Sequence, residues 1–209
     1  MRGWLHAGAA FVAFGFTLSA GWQTRTDPAR MASLLIFGLS MMELFGVSGL
    51  YHTGSWSARM SARLRAVDHA NIFVFIAGTY TPLCFNVLSG WLRPAILGLI
   101  WLLAGTGVAL TTTTLRAPRW LTAGMYVGMG WVAIVAMPAF LAVLPALAVG
   151  MLILGGVLYT VGAVIYARRW PDPLPRIFGF HEVFHLFVVA GAVVFAVMIW
   201  VYVLPFPRM

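Results

Sequence analysis

The sequence predicts an all-α, polytopic membrane protein: a bundle of seven transmembrane helices, N-terminus in the cytoplasm and C-terminus outside. Three observations carry that reading. The 209 residues are 62% hydrophobic and only 9% charged, whereas a soluble domain carries about 25% charged residues. The mean hydropathy is +0.94. Apolar runs recur along the chain with short polar breaks, and each approaches the roughly 20 residues that a helix needs to cross a bilayer. Nearly all the length goes into spans, so residues 1–209 read as one seven-helix domain.

The seven runs are Trp4–Ala20, Met31–His52, Asp68–Leu88, Pro94–Thr113, Trp120–Met137, Ala146–Ala167 and Phe180–Leu204. Turn-forming residues mark the breaks: Asp27-Pro28, Ser89-Gly90, Ala117-Pro118 and Pro171-Asp172-Pro173. The first run is followed by Trp22 and Arg25 rather than by a small-residue cleavage site, so it reads as a retained span and not a signal peptide. Only Pro138 and Pro145 separate the fifth and sixth runs. Pro82 lies inside the third and predicts a kink. Gly105, Gly107, Thr111 to Thr114, Gly155 and Gly156 read as close contacts between spans. Trp and Tyr residues near the span ends read as interfacial anchors.

The formal net charge of +8 comes from arginine, because the chain has no lysine. In a soluble protein such basicity would suggest nucleic acid; in short loops it sets topology and meets anionic headgroups. An inside N-terminus puts Arg2, Arg59, Arg63, Arg65, Arg116, Arg119, Arg168, Arg169 and Arg176 on the inner face. Arg25, Arg30, Arg93 and Arg208 then lie outside. The excess is positive-inside. The missing lysine also excludes a retinal pump, which needs a Schiff-base amine. Cys84 is the lone cysteine, so neither an internal disulfide nor a thiolate metal cluster can form, and it reads as a small buried apolar residue.

With that orientation the ionisable groups gather at one level. His52 ends the second run, Asp68 and His69 open the third, and His181 and His185 open the seventh. Each ionisable group costs roughly 2.5–3.5 kcal/mol at mid-bilayer, so groups kept there usually build a site. Imidazoles at i and i+4 share a helix face and suit a transition metal, zinc above others, with a third imidazole from a neighbouring helix. His52, His181 and His185 are therefore the candidate ligands. Zinc in a catalytic site takes three protein ligands and leaves a position for water. Asp68 is the acidic residue at the right level to hold that water and accept its proton. Ser48, on the face of His52, would reach the water or a substrate carbonyl, or tie down Asp68.

Plainer roles stand beside these. A lone interfacial histidine usually only hydrogen-bonds, and Asp68 could serve as a helix N-cap. His69 points about 100° from Asp68 around the helix, which suits packing or support of the ligands. Glu182 is expected to face headgroups or loop arginines. Glu43 is expected to be protonated and bonded to another span, with substrate contact the sharper alternative. A b-type haem held between His52 and His181 is a further reading of facing imidazoles.

Three segments resemble the hemolysin III family, bacterial relatives of the adiponectin and progestin receptors within a superfamily that includes alkaline ceramidases. They are Ser48 to His52 (SGLYH), Asp68 to Pro82 (DHANIFVFIAGTYTP) and Phe178 to Gly191 (FGFHEVFHLFVVAG). The resemblance implies a seven-helix bundle in a bacterial inner membrane, with zinc near the cytoplasmic face. It implies His52, His181 and His185 as ligands, Asp68 as holder of the water and Ser48 as the remaining polar group of the site. His6, in Leu5-His6-Ala7-Gly8, is similar to a span-one Thr-His-Gly element but departs from it at Leu5 and Ala7. The short termini argue against hormone reception.

Two functions follow as expectations. The first is a zinc-dependent hydrolase of lipid amide or ester bonds, acting on a ceramide-like or other acyl lipid in membrane lipid homeostasis. The second is a non-enzymatic, zinc-stabilised protein that modulates the bilayer or forms pores.

Overall fold

In the computed structural model, residues 2–113, 118–174 and 177–207 are described. The expectations placed on Thr114, Arg116, Ala117, Arg176 and Arg208, and on the side chain of Arg2, fall outside the described residues.

Turn chemistry sets the helix starts. Asp27 accepts the backbone N–H of Arg30 at 3.1 Å and so caps α2 (Pro28–Thr53), whose proline stands in the first turn where its missing N–H costs nothing. Before it, α1 (Arg2–Gln23) fills the first apolar run. Ser57 caps α3 (Ala58–Val87), which begins ten residues before Asp68. Asp68 is therefore well inside a helix and is not its N-cap. The arginines at 59, 63 and 65 made this stretch read as a loop, but they occupy exposed positions on a continuous helix. Next come α4 (Leu92–Thr113), α5 (Arg119–Trp131), α6 (Ala133–Val143), α7 (Ala146–Arg168) and α8 (Phe180–Met198), which runs into a π turn at Ile199–Val203. Among the described residues the only extended pairing is an isolated bridge between Leu174 and Phe178.

Seven helical segments are long and apolar enough to cross a membrane, with α5 and α6 forming one span, Arg119–Val143. That span passes through Pro138 and ends before Pro145, whereas the sequence suggested an end at Met137. Proline in a helix interior removes one backbone bond without ending the helix when neighbours satisfy the freed groups. Likewise α3 runs on through Pro82, where Asn86 Nδ2 donates to the Pro82 carbonyl at 2.8 Å.

The bundle is built around α3, whose apolar window is 83% buried against half or less in each other span. It packs on α2, α4 and α5; α1 lies on α2 and α8; α7 lies on α5 and α8. Small residues allow close approach, as a membrane interior requires in place of a hydrophobic drive between helices. Gly78 of α3 lies against Ser40 of α2, and Gly191 of α8 against the Tyr159 ring of α7. Gly107 and Gly155 lie against Phe73 and Phe195, as expected, but Gly105 faces open space. Thr111, Thr112 and Thr113 bond back to the carbonyls of Gly107, Val108 and Ala109 in their own helix. Cys84 is fully buried. Exposed Trp4, Trp22, Trp91, Trp120 and Trp170 mark the span ends.

Arg30 departs from its expected place among headgroups. Its Nη1 and Nη2 donate to the carbonyls of Leu204 and Phe206 at 2.5 and 2.6 Å, satisfying backbone left open after the last helix. It thereby ties α2 to the far end of α8.

The break in the fifth span is sealed from α3. The Tyr80 hydroxyl accepts the N–H of Ala133 at 2.7 Å and lies 2.7 Å from the Gly130 carbonyl and 3.0 Å from that of Met129. An orphaned buried backbone group costs about 1–3 kcal/mol. Tyr80→Phe is expected to lose about that much stability, read as a lower thermal midpoint in detergent; an unchanged midpoint would show that the break satisfies itself.

Candidate metal centre

The end of α2, the polar face of α3 and the start of α8 meet at one end of the bundle. His52, in the last turn of α2, projects toward His181 and His185, which occupy one face of the first turns of α8. Ring centroids are 5.1 Å apart for His52–His181, 5.2 Å for His52–His185 and 4.5 Å for His181–His185. One ligand atom from each ring lies within 4.8 Å of the others. His185 is buried and the other two are half-buried. Three imidazole nitrogens converging in this way fit zinc, which bonds imidazole at about 2.0–2.1 Å and takes three such ligands in open sites. His185 packs against both His52 and His181, which leaves no room for a macrocycle between those two rings.

The start of α8 is held by its own cap. Glu182 is buried and turns back, its Oε2 accepting the N–H of Gly179 at 2.9 Å. Asp172 Oδ1 accepts the N–H of Phe180 at 2.8 Å. Glu182 was expected to face headgroups; instead it satisfies helix-end donors, as a capping carboxylate does. This fixes the turn on which His181 stands.

Asp68 lies on the neighbouring wall, its side chain 13% exposed. The Ser48 hydroxyl hydrogen-bonds its carboxylate, and His52 lies within electrostatic reach. That bond is the tie to Asp68 expected of Ser48. His69 Nδ1 is 3.9 Å from Asp68 Oδ2 but bonds the Arg65 carbonyl at 2.7 Å, and its Nε2 lies 3.0 Å from the Tyr166 hydroxyl. A carbonyl only accepts, so Nδ1 carries the proton and Nε2 accepts from Tyr166. Tyr126 donates to the His69 carbonyl at 2.9 Å. His69 is thus tied to α7 and is not one of the three converging histidines. Glu43 is exposed on α2, where its backbone carbonyl, rather than its carboxyl, takes the hydrogen bond from Asn71 Nδ2 of α3 at 3.3 Å.

A cavity of about 120 Å³ opens from this cluster into the bundle. Asp68, Ile72, Ile76, Thr79 and Leu83 line it along one face of α3, a stretch of roughly 22 Å at 1.5 Å per residue. Away from the histidines the wall is mostly apolar, with Phe140, Leu152 and Phe195 at depth.

Sequence reasoning gave too little weight to several residues. His6, 2% exposed, stacks on His185 with centroids 3.9 Å apart and planes 10° apart. Tyr159 and Tyr166 both line the cavity. Their seven-residue spacing puts them on one face of α7, a signal that was present in the sequence. Tyr166 also approaches the His181 ring, centroid to centroid 6.2 Å.

Removing the Glu182 cap should loosen the turn that carries His181. Glu182→Ala is expected to cost about 1 kcal/mol, measured by chemical or thermal unfolding in detergent; a cost near zero would mean that Asp172 alone holds the start of α8.

The chain is similar over most of its length to named proteins. A hemolysin-3 homolog from Bacillus subtilis (strain 168) is 34% identical over 178 residues, covering 84% of this chain and 80% of the relative. Hemolysin-3 from Bacillus cereus is 33% identical over 177 residues, 84% of this chain and 77% of the relative. The Drosophila melanogaster adiponectin receptor protein is 26% identical over 183 residues, 77% of this chain but 40% of the receptor. The model of the family described as haemolysin-III related matches residues 1–204. The chain belongs to that family.

Proposed function

We propose that this protein is a zinc-dependent hydrolase that cleaves an amide or ester bond in an acyl lipid. The observation that carries the reading is the juxtaposition of three converging histidines with an apolar cavity that runs roughly 22 Å along α3. An extended acyl chain fits that shape, and its carbonyl head would then lie among His181, Asp68 and Ser48. Ceramide-like lipids and other acyl lipids share this chemistry.

His52, His181 and His185 would hold the ion. Zinc bound by three histidines supplies a Lewis acid that polarises a carbonyl and brings the pKa of water to about 7. Asp68 acts as general base, taking a proton from the attacking water as the new carbon–oxygen bond forms. It returns that proton to the amine or alcohol that leaves when the old bond breaks. The Ser48 hydroxyl, bonded to Asp68, orients the carboxylate for both transfers. The apolar walls keep bulk water from the acyl chain, which strengthens electrostatic interactions at the head of the cavity.

The described arginines Arg59, Arg63, Arg65, Arg119, Arg168 and Arg169 belong to the helix ends that carry this site. The positive-inside rule therefore supports a cytoplasmic site and a cytoplasmic N-terminus. The bacterial relatives support placement in a bacterial inner membrane.

Purified wild type is expected to carry zinc and to release fatty acid from acyl-lipid vesicles. Asp68→Asn should keep the metal while turnover falls about 100-fold or more, the usual scale for losing a general base. His181→Ala should lose both metal and turnover. Equal turnover in all three proteins would remove the hydrolase reading. Exhaustive chelation should abolish turnover and added Zn2+ should restore it; turnover that survives complete metal removal would take zinc out of the mechanism.

A further inference from the structure

His6 is the fourth imidazole at the centre, contributed by α1. It lies between His185, on which it stacks, and Phe45, which meets it edge-on at 5.1 Å. The seam between α1 and α2 fixes its depth. A Cβ on Gly49 would meet the Ala7 backbone nitrogen at 3.1 Å and Cα at 3.2 Å, so the two helices touch backbone to backbone one residue from His6.

The stack decides what His6 can do. With planes 10° apart and centroids 3.9 Å apart, the His6 and His185 rings occupy parallel layers. An imidazole nitrogen directs its lone pair within its own ring plane and bonds zinc at about 2.0–2.1 Å. One ion cannot lie in both layers, so His6 cannot ligate the ion that His185 ligates while the rings remain stacked. The group of nitrogens lying within 4.8 Å of one another accordingly comprises His52, His181 and His185.

Packing alone does not account for a histidine here. The residue is 2% exposed and lines the cavity, and the one protein group its ring nitrogens approach is the His185 backbone, without meeting full hydrogen-bond geometry. A buried polar atom without a full partner is destabilising, a cost that phenylalanine would avoid while keeping the stack. The nitrogen is therefore retained for a partner that enters the cavity.

We propose that His6 is a substrate-contacting residue: stacked on His185, it donates a ring N–H hydrogen bond to the carbonyl oxygen of the acyl group at the head of the cavity. The inference rests on the metal-centre reading above and adds a donor that reading does not use. It gives α1 a part in recognition.

The test uses full-length protein in detergent loaded with Co2+, whose visible spectrum reports its ligands, and acetohydroxamate as a carbonyl-bearing probe. His6→Phe keeps the ring and the stack but lacks the donor. It is expected to bind Co2+ within about threefold of wild type and acetohydroxamate about tenfold more weakly, the scale of one hydrogen bond. His6→Ala should show the same loss for the probe. Wild-type affinity for the probe in His6→Phe would overturn the proposal and leave His6 a packing residue. Loss of Co2+ or a changed metal spectrum in His6→Phe would overturn it differently, by making His6 a ligand. Wild type that binds no Co2+ would instead sink the metal centre, and this inference with it.

Discussion

A histidine inside a membrane-spanning bundle must meet a partner there, and the meeting of α2 and α8 through their imidazoles is the constraint on which the rest of this molecule depends. The rings of His52, His181 and His185 approach within 4.5 to 5.2 Å between centroids. The helices that carry them are held together by α1, which packs on both. At the far end Arg30 of α2 grips the carbonyls of Leu204 and Phe206 beyond α8. The same two helices are thus joined at both ends, by imidazoles at one and by a guanidinium at the other. Lipid offers no hydrophobic drive for helix association, so such polar ties and small-residue contacts set the arrangement.

The second organising feature is the use of α3 as a buried ruler. One face gives Asp68 and then Ile72, Ile76, Thr79 and Leu83 to the cavity wall. Farther round, Tyr80 closes the break between α5 and α6. A broken span beside a cavity is tolerated in a membrane only where its backbone groups find partners within the protein. Tyr80 supplies one, and the Trp131 indole, which donates to Thr160 of α7 at 3.0 Å, fastens the next turn. The cavity thus owes its wall to side chains that repair irregular backbone, and chemistry at its head can be stationed beside a rigid apolar channel.

How legible this was differs residue by residue. The seven spans were readable because each is a run of apolar residues closed by proline, glycine or charge, and the pairing of His181 with His185 was readable because i, i+4 spacing fixes a shared face. The start of α3 was not, because Arg59, Arg63 and Arg65 lower local hydropathy without breaking a helix that extends past the apolar region. Glu182 was misplaced because composition cannot tell a carboxylate that turns back to cap its helix from one that reaches into solvent. Arg30 was misplaced for a related reason: its partners are backbone carbonyls 174 and 176 residues away. His6 stood in a visible motif, but its importance comes from stacking on a residue of another helix, which no local pattern encodes.

Whether such a centre performs chemistry or only braces the bundle turns on its coordination. A structural zinc site is closed by four protein ligands, and an open one leaves a place for reaction. Asp68 stands on the adjoining wall but is engaged by Ser48, which suits a group that handles protons better than one that binds an ion. Of the other two imidazoles at this level, His69 is bonded to the Arg65 carbonyl and beside the Tyr166 hydroxyl, and His6 is stacked in a layer parallel to His185 and so cannot complete a tetrahedron with it. A purely structural brace would need no apolar cavity beside its histidines, whereas the hydrolase proposed above would need both in contact, and the structure holds the two side by side.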